Sequence, residues 1–173
     1  SSPEVGVVYS QYERAFSDGH TLLLPIVPHP KKNFQKALLE ANIISMQMAL
    51  VKKQVFQEAG FFDESIPALQ DWEFWIRASV FTHFKFVPEV LMKSYVLEDS
   101  IANNKSKRLY GRELIFQKHE QTFRVASPAL YAHHAFNIGH TYGLNGNIAQ
   151  AIQYLGKSWR ARPFTIKCFG AYV

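Results

Sequence analysis

A segment near the middle of the chain carries apolar side chains around almost the whole circumference of a predicted helix. Residues 71–80 read DWEFWIRASV, and the apolar positions are Trp72, Phe74, Trp75, Ile76, Ala78 and Val80. A helix that is apolar on all sides has no face to present to water, so other elements must enclose it. Glu73 and Arg77 stand four residues apart and can pair along it. We therefore predict a buried helix that opens at Asp71.

The chain has enough residues and apolar content to enclose such a helix. It contains 173 residues, of which 47% are hydrophobic, and this composition is typical of a globular domain with a sizeable core. No apolar run approaches the roughly 18–20 residues that a membrane-spanning helix needs. Cys168 is the single cysteine, which excludes an intramolecular disulfide and favours a reducing compartment. We expect a cytoplasmic protein, and the Ser at position 1 suggests a piece of a longer one.

Turn signals and periodicity predict an α+β fold in two parts. Strands are expected at EVGVVYSQY, HTLLLPIV and FKFVPEVLMKSYV, the last with a break at Pro88. Short helices are expected at FQKALLEAN and at KKQVFQEAG, which Gly60 should stop. The predicted result is a small mixed sheet with packed helices. The polar run NNKSKR, residues 103–108, is interpreted as a hinge, which gives domains 1–102 and 103–173.

The second part is predicted to be helical. One helix is expected over residues 106–124 and another over 129–145, which Gly146 should end. Residues 148–159 carry an amphipathic stripe with spacings of four, three and four, formed by Ile148, Ile152, Leu155 and Trp159. The last two helices together resemble a single tetratricopeptide-like hairpin. One copy cannot form a solenoid, so we interpret it as a helical cap or a docking arm.

Two interpretations of Asp71 remain open from the residues alone. Asp is a favoured N-cap, because its carboxylate accepts hydrogen bonds from the free amides of the first helical turn. In that case Asp71 is structural, and Trp72 and Trp75 are core residues. Alternatively, an ionised carboxylate at a helix N-terminus can take a proton from a hydroxyl as that hydroxyl attacks. The neighbouring Trp72 would then offer a flat apolar face to a sugar ring.

Residues 42–79 and 84–96 resemble the second half of a family 2 glycosyltransferase of the GT-A fold. In that family a helix ends at Gly, a Phe-Asp-Glu step follows, and a Glu-Asp-Trp segment opens a helix with a Trp-x-x-Arg-like pattern. The matching residues here are Gly60, Phe62, Asp63, Glu64, Asp71, Trp72, Trp75 and Arg77. The resemblance covers about residues 4–102. It rests on the order and spacing of these residues rather than on any one short motif.

The resemblance implies the acceptor-binding and catalytic-base portion of an inverting, nucleotide-sugar-dependent glycosyltransferase. Asp71 would be the catalytic base and Trp72 would line the acceptor pocket, while Asp63 and Glu64 would fix their loop. The acceptor would be a hydroxyl of a sugar or of a lipid-linked sugar. The family's donor site lies in an earlier half with an Asp-x-Asp motif, which binds Mg²⁺ or Mn²⁺ and the diphosphate of the nucleotide-sugar donor.

Three departures from the family pattern limit this expectation. The chain contains no Asp-x-Asp motif, so the fragment is expected to lack the donor site and to be inactive alone. Gln70 replaces the usual Glu before the base. Glu98 stands roughly where relatives have a His, and a metal-binding role for Glu98 is one hypothesis, because carboxylates suit hard cations.

The rival hypothesis is a protein-interaction module without chemistry, built on the helical hairpin. The net charge of +5 is distributed in small basic groups that suit phosphates or an anionic membrane surface. We interpret the same groups first as ordinary solvated helix faces. No nucleic-acid motif accompanies them, so no nucleic-acid partner is expected. Peripheral contact with the inner face of a membrane, and self-association through open sheet edges, complete the hypotheses about partners.

Overall fold

The computed structural model describes residues 4–24, 33–96 and 104–163. The chain divides into two compact units, residues 1–108 and residues 109–173. Four strands in one sheet and seven α-helices are present among the described residues, so the predicted α+β class is confirmed. The predicted boundary at residues 102 and 103 falls outside the described residues. Within the described ranges, no helix combines the length and apolar character that crossing a bilayer requires.

The sheet is mixed and is organised around its first strand. Strand β1 (Val5–Ala15) pairs antiparallel with β2 (Thr21–Leu24) near its end and with β3 (Ala49–Val51) near its start. On its other edge it pairs in parallel with β4 (His83–Tyr95) along nearly its whole length. Both edges of β1 are thus occupied, and its side chains Val7, Tyr9 and Tyr12 are almost fully buried in the core that the helices complete.

Strand β4 continues through the proline that was expected to break it. Ser10 pairs with Val87, and Gln11 pairs with Val90, so Pro88 and Glu89 are left out of the register. Proline has no amide hydrogen to donate to a neighbouring strand, and a bulge accommodates it without ending the strand. The predicted break at Pro88 is therefore a bulge within one strand.

The helices of the first unit pack around the predicted apolar helix. They are α1 (Phe34–Glu40), α2 (Lys53–Ala59) and α3 (Gln70–Ala78), with a short 3-10 turn at Met46–Met48. Six of the nine residues of α3 are buried, which confirms the expectation of a buried helix. The Trp75 indole donates a hydrogen bond to the Ile44 carbonyl at 2.7 Å, so its only polar atom is satisfied inside the core.

The second unit consists of helices, with boundaries that differ from the prediction. The described helices are α4 (Lys105–Lys118), α5 (Glu120–Ala126), α6 (Pro128–Leu144) and α7 (Ile148–Ala161). The hinge predicted at 103–108 is wrong from residue 105 onward, because α4 begins there. The single helix predicted over 106–124 is also wrong, because the backbone leaves the helical conformation at His119. The turn lets Phe123 pack against Phe116, with ring centroids 5.6 Å apart.

Helices α6 and α7 form the predicted antiparallel hairpin. They are joined at residues 145–147, where Gly146 adopts a φ of 79° that favours glycine. The helices approach most closely at Gly139, where an added Cβ would lie 2.9 Å from the Leu155 amide nitrogen. Farther along, the Ser158 hydroxyl donates to the Ala132 carbonyl at 2.8 Å. The hairpin thus depends on the absence of a side chain at position 139.

Gly139→Ala should destabilise the protein by about 1–3 kcal/mol, because the new methyl group meets backbone atoms that cannot rotate away. The matched control is Gly156→Ala on α7, where an added Cβ has no neighbour within 4 Å. That change should stabilise by roughly 0.5–1 kcal/mol through helix propensity. Urea unfolding of both variants checks the prediction, and equal effects of the two changes would contradict the close approach.

Candidate functional site

Asp71 lies in the first turn of α3 but does not cap it. Leu69 occupies the N-cap position, with a φ of 68°, and Asp71 is the second residue of the helix. Its Oδ1 accepts hydrogen bonds from the Asn42 side-chain amide at 3.0 Å and from its neighbour Trp72's backbone amide at 2.8 Å. Its Oδ2 accepts from the Met46 amide at 3.3 Å. Asp71 is therefore not the N-cap residue, but its carboxylate accepts the first-turn amide of Trp72, as the structural interpretation expected. It also ties the loop at residues 41–48 to α3.

The same carboxylate lies on the wall of an open cavity. The cavity has a volume of about 830 Å³. Its lining includes residues of β1 and β2, of the loops at 41–48 and 62–69, and of the start of α3. Much of the wall is apolar, formed by Leu24, Ile43, Met48, Phe62 and Leu69, among others. The polar groups that converge on it include Tyr12, Arg14, Asn42, Asp63, Glu64 and Asp71. A partly apolar cavity with a few convergent polar groups is the usual form of a small-molecule site.

Burial raises the pKa of Asp71 above its ordinary value. The hydrogen bonds from Trp72, Met46 and Asn42 oppose this effect, because each of them stabilises the ionised form. A carboxylate with a raised pKa binds a proton more readily, which suits a general base. The Asn42 side chain is fixed in the same place, and its Oδ1 is buried without a hydrogen-bond partner.

This pKa shift predicts the sign of a pH effect on stability. An acid whose pKa is higher in the folded state favours folding below its unfolded pKa, and this contribution is lost as the pH rises through the folded pKa. The stability of the wild type relative to Asp71→Asn should therefore fall as the pH rises from below 3.8, the ordinary value, toward neutrality. Urea unfolding of both proteins across this range measures the difference.

Asp18 provides a control, because its effect on the pH dependence of stability should have the opposite sign. The His20 backbone amide donates to its exposed carboxylate and lowers the pKa of Asp18, and a small desolvation opposes this only in part. The stability of the wild type relative to Asp18→Asn should rise with pH. A pH-independent difference between the wild type and Asp71→Asn would contradict the burial of Asp71.

The structure places Trp72 in the core rather than on the cavity wall. Only 2% of Trp72 is exposed, and its indole donates a hydrogen bond to the Leu38 carbonyl. The flat face that was expected to meet a sugar ring is thus covered by protein. Trp72 holds α3 against α1, and the expected role in acceptor binding is withdrawn. Glu98, the hypothetical metal ligand, lies outside the described residues.

Asp63 and Glu64 both reach the cavity wall, and Asp63 has the loop-fixing role that the resemblance implied. The Asp63 carboxylate accepts hydrogen bonds from the Ser65 amide at 3.1 Å and from the Ser65 hydroxyl at 2.6 Å. Glu64 is exposed to solvent. Among the residues that the structure describes, no three His, Cys, Asp or Glu side chains are grouped so as to hold a metal ion. We therefore derive no step through a cation from these residues.

The predicted pairing of Glu73 with Arg77 is confirmed, and Arg77 also helps to fix the segment that forms part of the cavity wall. Glu73 is fully buried, and Arg77 Nη2 lies 2.8 Å from its Oε2. The same guanidinium donates to the carbonyls of Ala59 and Phe61, at the end of α2. These bonds fix the turn that leads directly to Phe62, Asp63 and Glu64 on the wall.

Two residues of the site carry no strong signal in the sequence. Asn42 lies 29 positions before Asp71, and only the tertiary fold brings the two together. Arg14 donates to the Tyr12 hydroxyl at 2.7 Å and lies over the Tyr12 ring, 5.6 Å from its centroid. Residues two apart on a strand share a face, so this pair could have been predicted once β1 was assigned.

A scan against models of known protein families finds no match to this chain, and no curated protein is significantly similar to it.

Proposed function

We propose that this chain is the acceptor-binding and catalytic-base portion of an inverting, nucleotide-sugar-dependent glycosyltransferase, with Asp71 as the base. The observation that supports the proposal is the position of Asp71. Its carboxylate lines an open cavity, is held by Asn42 and Met46, and has a pKa that burial raises. The resemblance of residues 42–79 and 84–96 to family 2 glycosyltransferases supplies the reaction class.

In the proposed reaction, Oδ2 of Asp71 is the proton acceptor, because it receives one long hydrogen bond whereas Oδ1 receives two shorter ones. The acceptor hydroxyl transfers its proton to Oδ2 as its oxygen forms a bond to the anomeric carbon of the donor. The bond from that carbon to the diphosphate breaks, and the nucleoside diphosphate leaves. General-base catalysis of this kind contributes roughly 10²–10⁴-fold to a rate.

The apolar part of the cavity wall favours an acceptor with an apolar portion, such as a lipid-linked sugar. A saccharide presents mostly hydroxyl groups, whereas Ile43, Met48 and Phe62 offer no hydrogen bonds. The donor and its divalent cation would be bound by residues outside the set described here, since the chain has no Asp-x-Asp motif. A cytoplasmic location remains part of the proposal.

The test is a transfer assay on the full-length protein that contains this chain. A panel of nucleotide sugars is offered with Mg²⁺ or Mn²⁺ and with free and lipid-linked sugar acceptors, and the products are analysed by mass spectrometry and NMR. The proposal expects a glycoside whose anomeric configuration is inverted relative to the donor. Retention of configuration, or no transfer with any donor and acceptor of the panel, would overturn it.

A non-catalytic interaction module is the second candidate, and one observation favours it. Three residues of the apolar stripe of α7, Ile148, Ile152 and Trp159, are well exposed to solvent. This candidate predicts that substitutions on α7 abolish the biological role of the protein while Asp71→Asn leaves it unchanged. Complementation of a gene deletion with the two variants separates the candidates.

A further inference from the structure

The outer face of α7 is an apolar stripe with no covering element among the described residues. Its exposed fractions are 59% at Ile148, 67% at Ile152, 36% at Leu155 and 66% at Trp159. The adjoining face packs within the unit, where Ala151 and Tyr154 are buried, and Leu155 at the edge of the stripe lies against α6 at Gly139. Four large apolar side chains in one line over three turns exceed the scattered exposure that is normal for a protein surface.

The charge of the chain is concentrated in the same unit. Residues 1–108 contain twelve Lys and Arg and twelve Asp and Glu, whereas residues 109–173 contain seven Lys and Arg and only two Glu. The whole net charge of +5 therefore lies in the second unit. Such asymmetry between two halves of a chain indicates an anionic partner for the basic half.

Both acidic side chains of the second unit are already engaged inside it. Glu113 accepts hydrogen bonds from the hydroxyls of Tyr142 and Tyr154. Glu120 is bound by Arg124, Tyr131 and Lys157; burial raises its pKa, but these bonds outweigh burial and lower it to about 2. Glu120 is thus charge-paired within the unit, and Glu113 is directed at two of its tyrosines.

The basic residues next to the stripe face solvent. Helix α7 has no Asp or Glu, and Arg160 and Arg162 are exposed at its C-terminal end, beside Trp159. No ion pair involves either arginine within residues 104–163. An apolar face that includes Trp, bordered by arginines and lacking acids, is the composition of helices that lie in the interface of an anionic bilayer.

We infer that the outer face of α7 docks the chain onto an anionic lipid bilayer. Ile148, Ile152 and Trp159 enter the headgroup region, and Arg160 and Arg162 contact the lipid phosphates. A bilayer fits the stripe because insertion requires apolar area and positive charge but no pocket on the partner. The inference is independent of the proposed transferase activity.

The test is co-sedimentation of the full chain with vesicles. Vesicles of phosphatidylcholine mixed with phosphatidylglycerol should bind the protein, and vesicles of phosphatidylcholine alone should bind it much more weakly. Binding should fall steeply as salt is raised, because screening shortens the reach of the arginine charges. Ile152→Ser/Trp159→Ser should weaken partitioning about tenfold or more, and Arg160→Gln/Arg162→Gln by about thirtyfold.

Tryptophan fluorescence supplies a second readout that is local to the stripe. The other two tryptophans, Trp72 and Trp75, are buried, so acrylamide quenching reports chiefly on Trp159. Mixed vesicles should shift the emission to shorter wavelength and protect it from the quencher. An unchanged spectrum at saturating lipid would overturn the inference.

Control variants carry similar changes at residues outside the stripe. Val125→Ser removes an equally exposed apolar side chain from α5, and Lys53→Gln/Lys85→Gln removes two exposed charges from the neutral unit. Both should bind vesicles within a few-fold of wild type. Equal loss in stripe and control variants would overturn the inference. The inference would also be overturned if the protein formed dimers at high concentration, did not bind vesicles, and lost the dimers in Ile152→Ser/Trp159→Ser. The stripe would then contact a second copy of the chain.

Discussion

Asp71→Asn is expected to lower glycosyl transfer by the full-length protein about 100-fold or more while leaving the fold intact. The loss follows from the chemistry, because an amide cannot take the proton of the attacking hydroxyl. Substrate binding should change less than turnover, since the base acts mainly in the transition state. Initial rates at varied acceptor concentration separate the two effects.

The structure explains why this variant should still fold. With its carbonyl oxygen at the Oδ1 position, the carboxamide that Asp71→Asn introduces still accepts hydrogen bonds from the Trp72 amide and the Asn42 side chain, while its NH₂ group faces the Met46 amide. The variant therefore loses only the longest of the three hydrogen bonds. Thermal unfolding should remain cooperative, with a midpoint below that of the wild type.

Glu64→Gln is the matched control for the loss of a carboxylate from the cavity wall. Glu64 lines the same cavity but is exposed, so its removal should alter transfer by only a few-fold. The wild-type rate should also decline toward acid as Asp71 is protonated, with a midpoint above the ordinary pKa because burial raises it. Transfer by Asp71→Asn within a few-fold of wild type would remove Asp71 from the mechanism.

Arg77→Met is expected to destabilise the protein by about 3–5 kcal/mol, because it removes the guanidinium that pairs with the buried Glu73 carboxylate. Glu73 is 0% exposed, so water cannot replace the lost guanidinium. The carbonyls of Ala59 and Phe61 lose their donor as well. Urea unfolding at neutral pH measures the change in the free energy of unfolding.

Two comparisons isolate the buried pair. Lys36→Met removes one partner of another Glu–cation pair with the same four-residue spacing, but that pair is exposed and should contribute at most about 0.5 kcal/mol. Glu73→Leu/Arg77→Met removes both charges and should recover much of the stability lost in Arg77→Met. If the single and double variants were equally unstable, the cost would come from lost packing or lost carbonyl contacts instead.

Local patterns predicted much of the fold because their causes are local. The apolar circumference of α3 required burial, and the four-residue spacing of Glu73 and Arg77 placed them in contact on one helix face. Gly146 marked the turn of the hairpin through its conformational preference. The contact of Asn42 with Asp71 could not be predicted in this way, because it depends on how the loop at residues 41–48 crosses α3.

The stripe on α7 shows a second limit to what periodicity can predict. The spacing of Ile148, Ile152, Leu155 and Trp159 correctly identified one helix face, but spacing does not say which face packs within the unit. The close approach at Gly139 brings the Leu155 backbone and the Ala151 carbonyl against α6, so this side of α7 packs within the unit. Ile148, Ile152 and Trp159 are left on the outside.

The indoles of Trp72 and Trp75 have a consequence for the timing of catalysis in the proposed enzyme. They donate to the carbonyls of Leu38 and Ile44, which stand on either side of Asn42 in the chain. The loop that orients the Asp71 carboxylate is thus anchored at two points before any substrate arrives. Preorganised groups of this kind need no rearrangement at the moment of reaction. On this side of the cavity, turnover would not wait for a loop to close.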